Sequence, residues 1–225
     1  MANSLSPPLA LRARGPLACF TRPEMKVERV SYPVMTPSAA RGLLESILWK
    51  PAIRWKVIEI HVLAPIAFTS FRRNEVNSKA IAPSHDIVLS GGSKACYYAD
   101  EDRAQRNTVA LRDVDYLVRA EFSLTDMAGP EDNIPKFVEM FERRVRKGQH
   151  FQQPYFGCRE FAAEILTPED APGAIQGLTK PLGVMLWDIE FGSVNMPLFF
   201  DARLVNGVMS VPECPIRLVR SGGEA

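Results

Sequence analysis

Apolar and polar positions follow two rhythms along the chain, and these divide it into elements. Residues 8–14, PLALRAR, alternate apolar and basic side chains, as an edge-type strand does. A long irregular stretch covers 16–35. Thr36-Pro37 then opens a helix, a hydroxyl cap followed by proline in the first turn. Ala40, Leu43, Leu44 and Ile47 share one face of that helix, and Pro51 ends it. Residues 53–64, IRWKVIEIHVLA, predict a strand with Ile58, Ile60 and Val62 on one face and Val57, Glu59 and His61 on the other.

Periodicity fades over 69–105, where Pro83, Gly91, Gly92 and the acidic run Asp100-Glu101-Asp102 suit a long insertion. Residues 107–123 predict a strand pair or one long strand. A second helix is expected over about 132–147, closed by Gly148. Residues 156–165 predict another strand. Beyond a Pro/Gly-rich link, strands are expected near 183–191 and 197–204. Asn206-Gly207 then supplies a hairpin turn before Val208–Val211.

The order is β-α-β, insertion, β-α-β, then a small all-β tail. It predicts an α+β fold with a ferredoxin-like, split-βαβ domain over 1–166 and a small antiparallel β domain over 167–225. That scaffold often binds RNA on its open sheet, but fold alone does not give function.

Composition narrows the classes. The 225 residues are 46% hydrophobic and 24% charged, which suits a chain that buries a core. No run of 18 apolar residues is present and no secretory leader is expected, so no membrane partner is predicted. Cys19, Cys96, Cys158 and Cys214 lie far apart, as do His61, His85 and His150. No metal-ligand spacing results, no cofactor is called for, and free thiols in a cytoplasmic protein are expected.

Net charge is only +1, yet its distribution is uneven. Residues 1–73 hold 11 basic and 4 acidic side chains, 74–135 hold 6 and 11, 136–159 hold 6 and 2, and 160–225 hold 4 and 9. Two basic blocks would make one positive surface if they met in the fold; otherwise they are solvated faces.

The second helix sharpens this choice. At 100° per residue, Phe137, Val138, Phe141 and Val145 share one face, with Lys136, Glu139, Arg143, Arg146 and Lys147 opposite. The following GQHFQQPYF interleaves aromatics with amides. Cations for phosphates and rings for bases suit single-stranded RNA. A plain amphipathic helix with an aromatic hinge is the competing account. Phe20, Arg22, Lys26, Arg29 and Tyr32 repeat the mixture, as do Trp49-Lys50-Pro51 and Trp55-Lys56. A tryptophan near a helix end is more often core than base platform. Arg72-Arg73 could contact phosphate or pair with acids in the insertion.

These residues carry a resemblance. FTRPEMKVERVSYPVMTPSAARGLLESILWKPAIRW (20–55), FRRNEV (71–76) and RRVRKGQHFQQPYFGCREF (143–161) closely resemble the CRISPR-associated Cas-five family of the type I-C, subtype d, kind. The resemblance runs through roughly residues 10–215. It implies a RAMP protein that binds the CRISPR repeat RNA and cuts the precursor at the base of the repeat hairpin. Such a protein stays on the 5′ handle of the crRNA within Cascade, beside the backbone and large subunits. The implied cleavage is metal-independent: a ribose 2′-OH attacks the adjacent phosphate, leaving a 2′,3′-cyclic phosphate and a 5′-OH.

The resemblance also places a Tyr or His just before Trp-Lys-Pro, and a Lys-His pair at the start of the second helix. Here those positions are Leu48 and Lys136-Phe137, so only the lysine is kept. Leucine and phenylalanine move no protons. Two readings follow. In one, Lys136 stabilises the transition state while His150 or Tyr155 transfers protons. In the other, cleavage is weak or absent and the protein is a structural cap of the crRNA 5′ handle. The RNA-binding candidates are Phe20, Arg22, Lys26, Arg29, Arg41, Trp49, Lys50, Arg143, Arg144 and Lys147. Target DNA is a further candidate partner, through Arg72-Arg73.

Overall fold

The computed structural model describes residues 5–78, 82, 84–90, 98, 100–190 and 195–216. Strand β1 (Leu9–Ala18) leads through the short β2 (Arg29–Val30) to helix α1 (Pro37–Ile47) and strand β3 (Ile53–Val62). Strand β4 (Ala67–Val76), the short helix α2 (His85–Leu89) and the 22-residue strand β5 (Arg103–Leu124) follow. Helix α3 (Ile134–Arg146), β6 (Glu164–Leu166), β7 (Lys180–Glu190), β8 (Met196–Leu204) and β9 (Val208–Ser210) complete the order.

One mainly antiparallel sheet runs β6-β1-β5-β3-β9, with β4 and β2 also paired to β5, β2 in parallel. β7 and β8 form a separate two-stranded sheet. Among the described residues no helix is long and apolar enough to cross a membrane.

Local chemistry explains both long helices. The Thr36 hydroxyl accepts the Ala39 N–H at 3.3 Å and Pro37 occupies the first turn of α1. Asn133 caps α3 through the Lys136 N–H at 3.0 Å. Gly148, at φ +61°, closes α3 with two reversed bonds, Gly148 N–H to Val145 O (3.1 Å) and Gln149 N–H to Arg144 O (2.9 Å). The buried stripe Phe137, Phe141 and Val145 then packs on the sheet, Phe137 edge-on to Phe122 and Phe141 against Trp55.

Several sequence expectations need correction. β1 is an interior strand, hydrogen-bonded to β5 on one side and β6 on the other. Its arginines are neutralised across the sheet, Arg12 by Asp115 at 2.6 Å and Arg14 by Glu164 at 2.7 Å. β3 does not keep one alternation. A bulge between Val57 and Glu59 makes Ile58 an extra residue, so Trp55 and Val57 are buried together with Ile60 and Val62.

The segment 69–105 is not simply a loop. Its first residues belong to β4, which pairs with β5 from Ala67↔Arg112 to Val76↔Arg103. Arg72, Arg73, Asn74 and Glu75 give this ribbon polar residues on both faces, so it lacks a hydrophobic period. The expected glycines Gly91 and Gly92, and Pro83, lie outside the described residues. The strand expected over 156–165 is confined to Glu164–Leu166. Before it the chain loops back, bridging Tyr155 to Ala162, with Gly157 at φ +77° pressed onto the Cys19 carbonyl. Residues 107–123 are one continuous strand, and Asn206-Gly207, both at positive φ, make the expected two-residue turn.

Candidate nucleic-acid interface

The end of α1 carries the most distinctive surface. Its chain leaves the helix at Leu48, buried in the core, and turns outward at Trp49, which is 50% exposed. The segment after α3 folds back on the same place. The N–H groups of Phe151 and Gln152 both donate to the Ser46 carbonyl, at 2.7 and 3.1 Å. This lays Phe151, also exposed, against Trp49 with ring centroids 6.0 Å apart and planes 26° apart. Two exposed, nearly parallel rings at a helix end offer faces on which a base can stack. Trp55, by contrast, is 4% exposed and donates its indole N–H to the Leu48 carbonyl at 3.0 Å, a core role.

Exposed cations lie on both segments that carry the rings. Lys50 is exposed beside Trp49, and Arg143, Arg146 and Lys147 line a shallow depression with Glu139 on the outer face of α3. His150 is exposed in the turn that follows. A groove of about 820 Å³ opens beneath Trp49 and Lys50, between α1, β3 and the β7–β8 hairpin, and holds Arg54, Lys56 and Trp187.

Other candidates do different work. Phe20 is 3% exposed and meets Tyr116 and Phe156 edge-on, so it has no face for a base. Arg41 grips Asp188 with two hydrogen bonds, 3.0 and 2.8 Å, and Glu45 at 2.7 Å, tying α1 to β7. Arg144 turns inward and donates to the Ile47 carbonyl at 2.6 Å. Arg29 pairs with Glu160 at 3.2 Å and Glu75 at 3.7 Å. Arg22 lies over the Tyr32 ring, 4.7 Å from its centroid, and Lys26 is exposed in the turn beyond. On β4, Arg72 is exposed and bonded to Gln105, whereas Arg73 is held by Glu75 and Glu160.

The three catalytic candidates do not meet. Lys136 sits in the first turn of α3, its ammonium donating to Asp132 at 3.0 Å. That bond, and then the Gly129 N–H, hold the Asp132 carboxyl below its ordinary value. His150 lies beyond the last turn; the helix alone puts about 16 Å between Lys136 and Lys147. Tyr155 is half-buried in a separate depression with Thr21, Ser38 and Gly42. No hydrogen bond joins Lys136, His150 and Tyr155. Among the described residues no three His, Cys, Asp or Glu gather as a metal site.

Comparison with known proteins places this architecture. The pattern of the family described as CRISPR-associated protein (Cas_Cas5) matches residues 8–212. The chain belongs to this Cas5d family. A relative from Mannheimia succiniciproducens, named CRISPR pre-crRNA endoribonuclease Cas5d, is 47% identical across 94% of this chain and 96% of its own. A second of the same name, from Thermus thermophilus, is 42% identical across 91% of both. A solved structure titled as a CRISPR-associated protein shares the fold, with a TM-score of 0.70 and 22% identity over 96% of this chain and 98% of that one.

Within the Cas5d frame, Leu48 and Phe137 stand where the sequence resemblance places proton-transferring groups. Both are core residues here, 0% and 2% exposed. Phe151 is the contributor that sequence reasoning left out of the site. The Gly148 cap signalled a turn, but only the bonds to Ser46 bring its ring onto Trp49.

Proposed function

We propose that the chain binds CRISPR repeat RNA, cleaves pre-crRNA at the base of the repeat hairpin, and stays on the 5′ handle as a subunit of Cascade. The observation that carries this is the pair of relatives named pre-crRNA endoribonucleases, aligned over more than nine-tenths of the chain. The exposed Trp49–Phe151 stack, together with exposed Lys50 and the basic outer face of α3 with Arg143 and Lys147, is its structural support: stacking holds bases while the cations hold phosphates. The β1-α1-β3-β5-α3-β6 order, with β6-β1-β5-β3 side by side, supports reading residues 1–166 as ferredoxin-like and 167–225 as a small β unit on it.

In this reading Lys136 faces the charge that develops on the phosphate as the 2′-OH attacks, after exchanging Asp132 for RNA. His150 and Tyr155 are the remaining titratable side chains for proton transfer. Because α3 separates His150 from Lys136, a strand that reaches both runs along α3. Arg72 is the exposed cation available to duplex DNA during target binding, and a filter-binding salt series with Arg72→Ala measures that contribution.

The second reading, a handle cap that does not cut, is favoured by the burial of Leu48 and Phe137. Purified protein and repeat RNA, incubated in EDTA under single-turnover conditions, separate the two. Cutting at the hairpin base that falls about 10²–10³-fold in Lys136→Ala, with binding intact, supports the enzyme. Tight binding without a cut supports the cap, and cutting unchanged in Lys136→Ala moves the active site elsewhere.

A further inference from the structure

Two of the cysteines, separated by 139 positions, are brought together on the side of the sheet where Gly157 meets the end of β1. Cys19 is fully buried; Cys158 is partly exposed. The Cys158 thiol donates to the Cys19 carbonyl at 3.8 Å, and the Cys19 N–H donates to the Phe156 carbonyl at 3.1 Å. The Cys158 sulfur therefore lies against the backbone of Cys19, whose own thiol is 3.5 Å from the Thr21 hydroxyl. Arg29 then points its guanidinium at Cys158, with Nη1 at 3.4 Å from Sγ. A partly exposed thiol, a cation directed at its sulfur and a second thiol behind it are the parts of an oxidation-sensitive pair.

We propose that Cys158 is a peroxide-reactive thiol and Cys19 its resolving partner, so that the pair forms an intramolecular disulfide under two-electron oxidation by a hydroperoxide. The Cys158 thiolate attacks one peroxide oxygen, the O–O bond breaks, and hydroxide leaves, giving a sulfenic acid on Cys158. The Cys19 sulfur then attacks the Cys158 sulfur, the S–O bond breaks, and the departing oxygen leaves as water with the Cys19 proton. Each thiol is oxidised by one electron, and with hydrogen peroxide the products are the disulfide and two molecules of water.

The surroundings support this order of events. The hydrogen bond from Cys19 first, and then the charge of Arg29, hold the Cys158 thiol below its ordinary value, against its partial burial and the nearby Glu160 carboxylate. The Cys19 thiol is pushed up by its bond to Cys158 and by burial, so it remains protonated until the sulfenic acid forms. The disulfide would fasten the 155–162 loop, which carries Tyr155, to the end of β1.

The test treats the folded protein with hydrogen peroxide and maps unreduced peptides by mass spectrometry. The expected result is a Cys19–Cys158 cross-linked peptide that disappears on reduction, with exposed Cys214 outside it. In Cys19→Ser, a sulfenic-acid probe such as dimedone should label Cys158. In Cys158→Ser, Cys19 should stay reduced. A circular-dichroism melt of each variant confirms that it is folded, and Cys158→Ala provides a second form of the outer-thiol variant. Oxidation of Cys214 with Cys19 and Cys158 both left as thiols would overturn the proposal. So would dimedone labelling of Cys19 in place of Cys158, or the same cross-link yield after denaturation as before it.

Discussion

Arg143 and Arg144 are adjacent on one helix, and the structure gives them opposite tasks, which makes them a sharp test. Arg144 crosses from α3 to α1 and bonds the Ile47 carbonyl at 2.6 Å. That carbonyl belongs to the last turn of α1, where no helical N–H remains to reach it, and the helix end attracts a cation. Arg144→Ala removes a charged hydrogen bond worth about 1.5–3 kcal/mol and a favourable interaction with the helix end worth up to about 1 kcal/mol. For a chain of this length, 1 kcal/mol moves the melting midpoint by about 2–4 °C, so a fall of roughly 3–16 °C is expected. Arg143 is exposed on the basic face of α3, and Arg143→Ala should change stability by no more than about 0.5 kcal/mol.

The two should reverse in RNA binding. A phosphate contact on single-stranded RNA contributes about 0.7 to the slope of log K against log salt, so Arg143→Ala should flatten that slope by about this amount. Arg144→Ala, measured well below its melting midpoint, should leave the slope as it is. Thermal melts and a filter-binding salt series read both quantities. Equal loss of stability in the two variants, or a slope change confined to Arg144→Ala, would refute the division of labour.

Other outcomes follow from particular contacts. Trp49→Ala and Phe151→Ala should each weaken repeat-RNA binding by about 1–3 kcal/mol, roughly 5–150-fold in affinity, with an unchanged salt slope, because stacking carries no charge. Gly157→Ala places a Cβ 2.1 Å from the Cys19 carbonyl oxygen at φ +77°. Backbone strain alone costs about 1–3 kcal/mol, and a urea melt should show at least that loss; a loss below about 0.5 kcal/mol would contradict the tight approach. Burial raises the Glu160 carboxyl, but its backbone hydrogen bond and then Arg73 and Arg29 outweigh it and leave the group below its ordinary value. Its contribution is therefore present above about pH 4 and lost as pH falls through the folded value, so the stability gap between wild type and Glu160→Gln should close on acidification. A gap independent of pH would show that the ion pairs do not contribute.

Much of the fold was legible where local chemistry decides it. Thr36-Pro37, Asn206-Gly207, Gly148 and the Phe137-Phe141-Val145 stripe each state their own conformation. The strand phase of β3 was not legible, because the bulge at Ile58 answers to its partner β5 and leaves no local mark. β4 escaped for a related reason: a ribbon half-buried on one face and exposed on the other, with arginines on both, shows no apolar period. At the site, the mixture of basic and aromatic residues drew attention to the α3 surface and Trp49. It could not distinguish Arg143 from Arg144, or outward Lys50 from the bound Arg41, since each choice is made by an acceptor distant in sequence. Phe20 illustrates the same limit from the other side: its neighbour Lys26 is exposed and Arg22 and Arg29 are half-buried, while its ring fills the core.

The placement of β1 has a consequence for how the molecule is made. Its hydrogen-bonding partners are Leu111–Ala120 of β5 and Glu164–Leu166 of β6, roughly 100 and 150 positions later. At about 5–20 residues per second of synthesis, the first strand waits roughly 5–20 s for β5 and up to about 30 s for β6. An apolar strand left unpaired that long invites pairing with other chains. Arg12 and Arg14 explain how PLALRAR survives the interval. Until Asp115 and Glu164 emerge, the two charges repel association; afterwards the same charges become cross-strand ion pairs within the finished sheet.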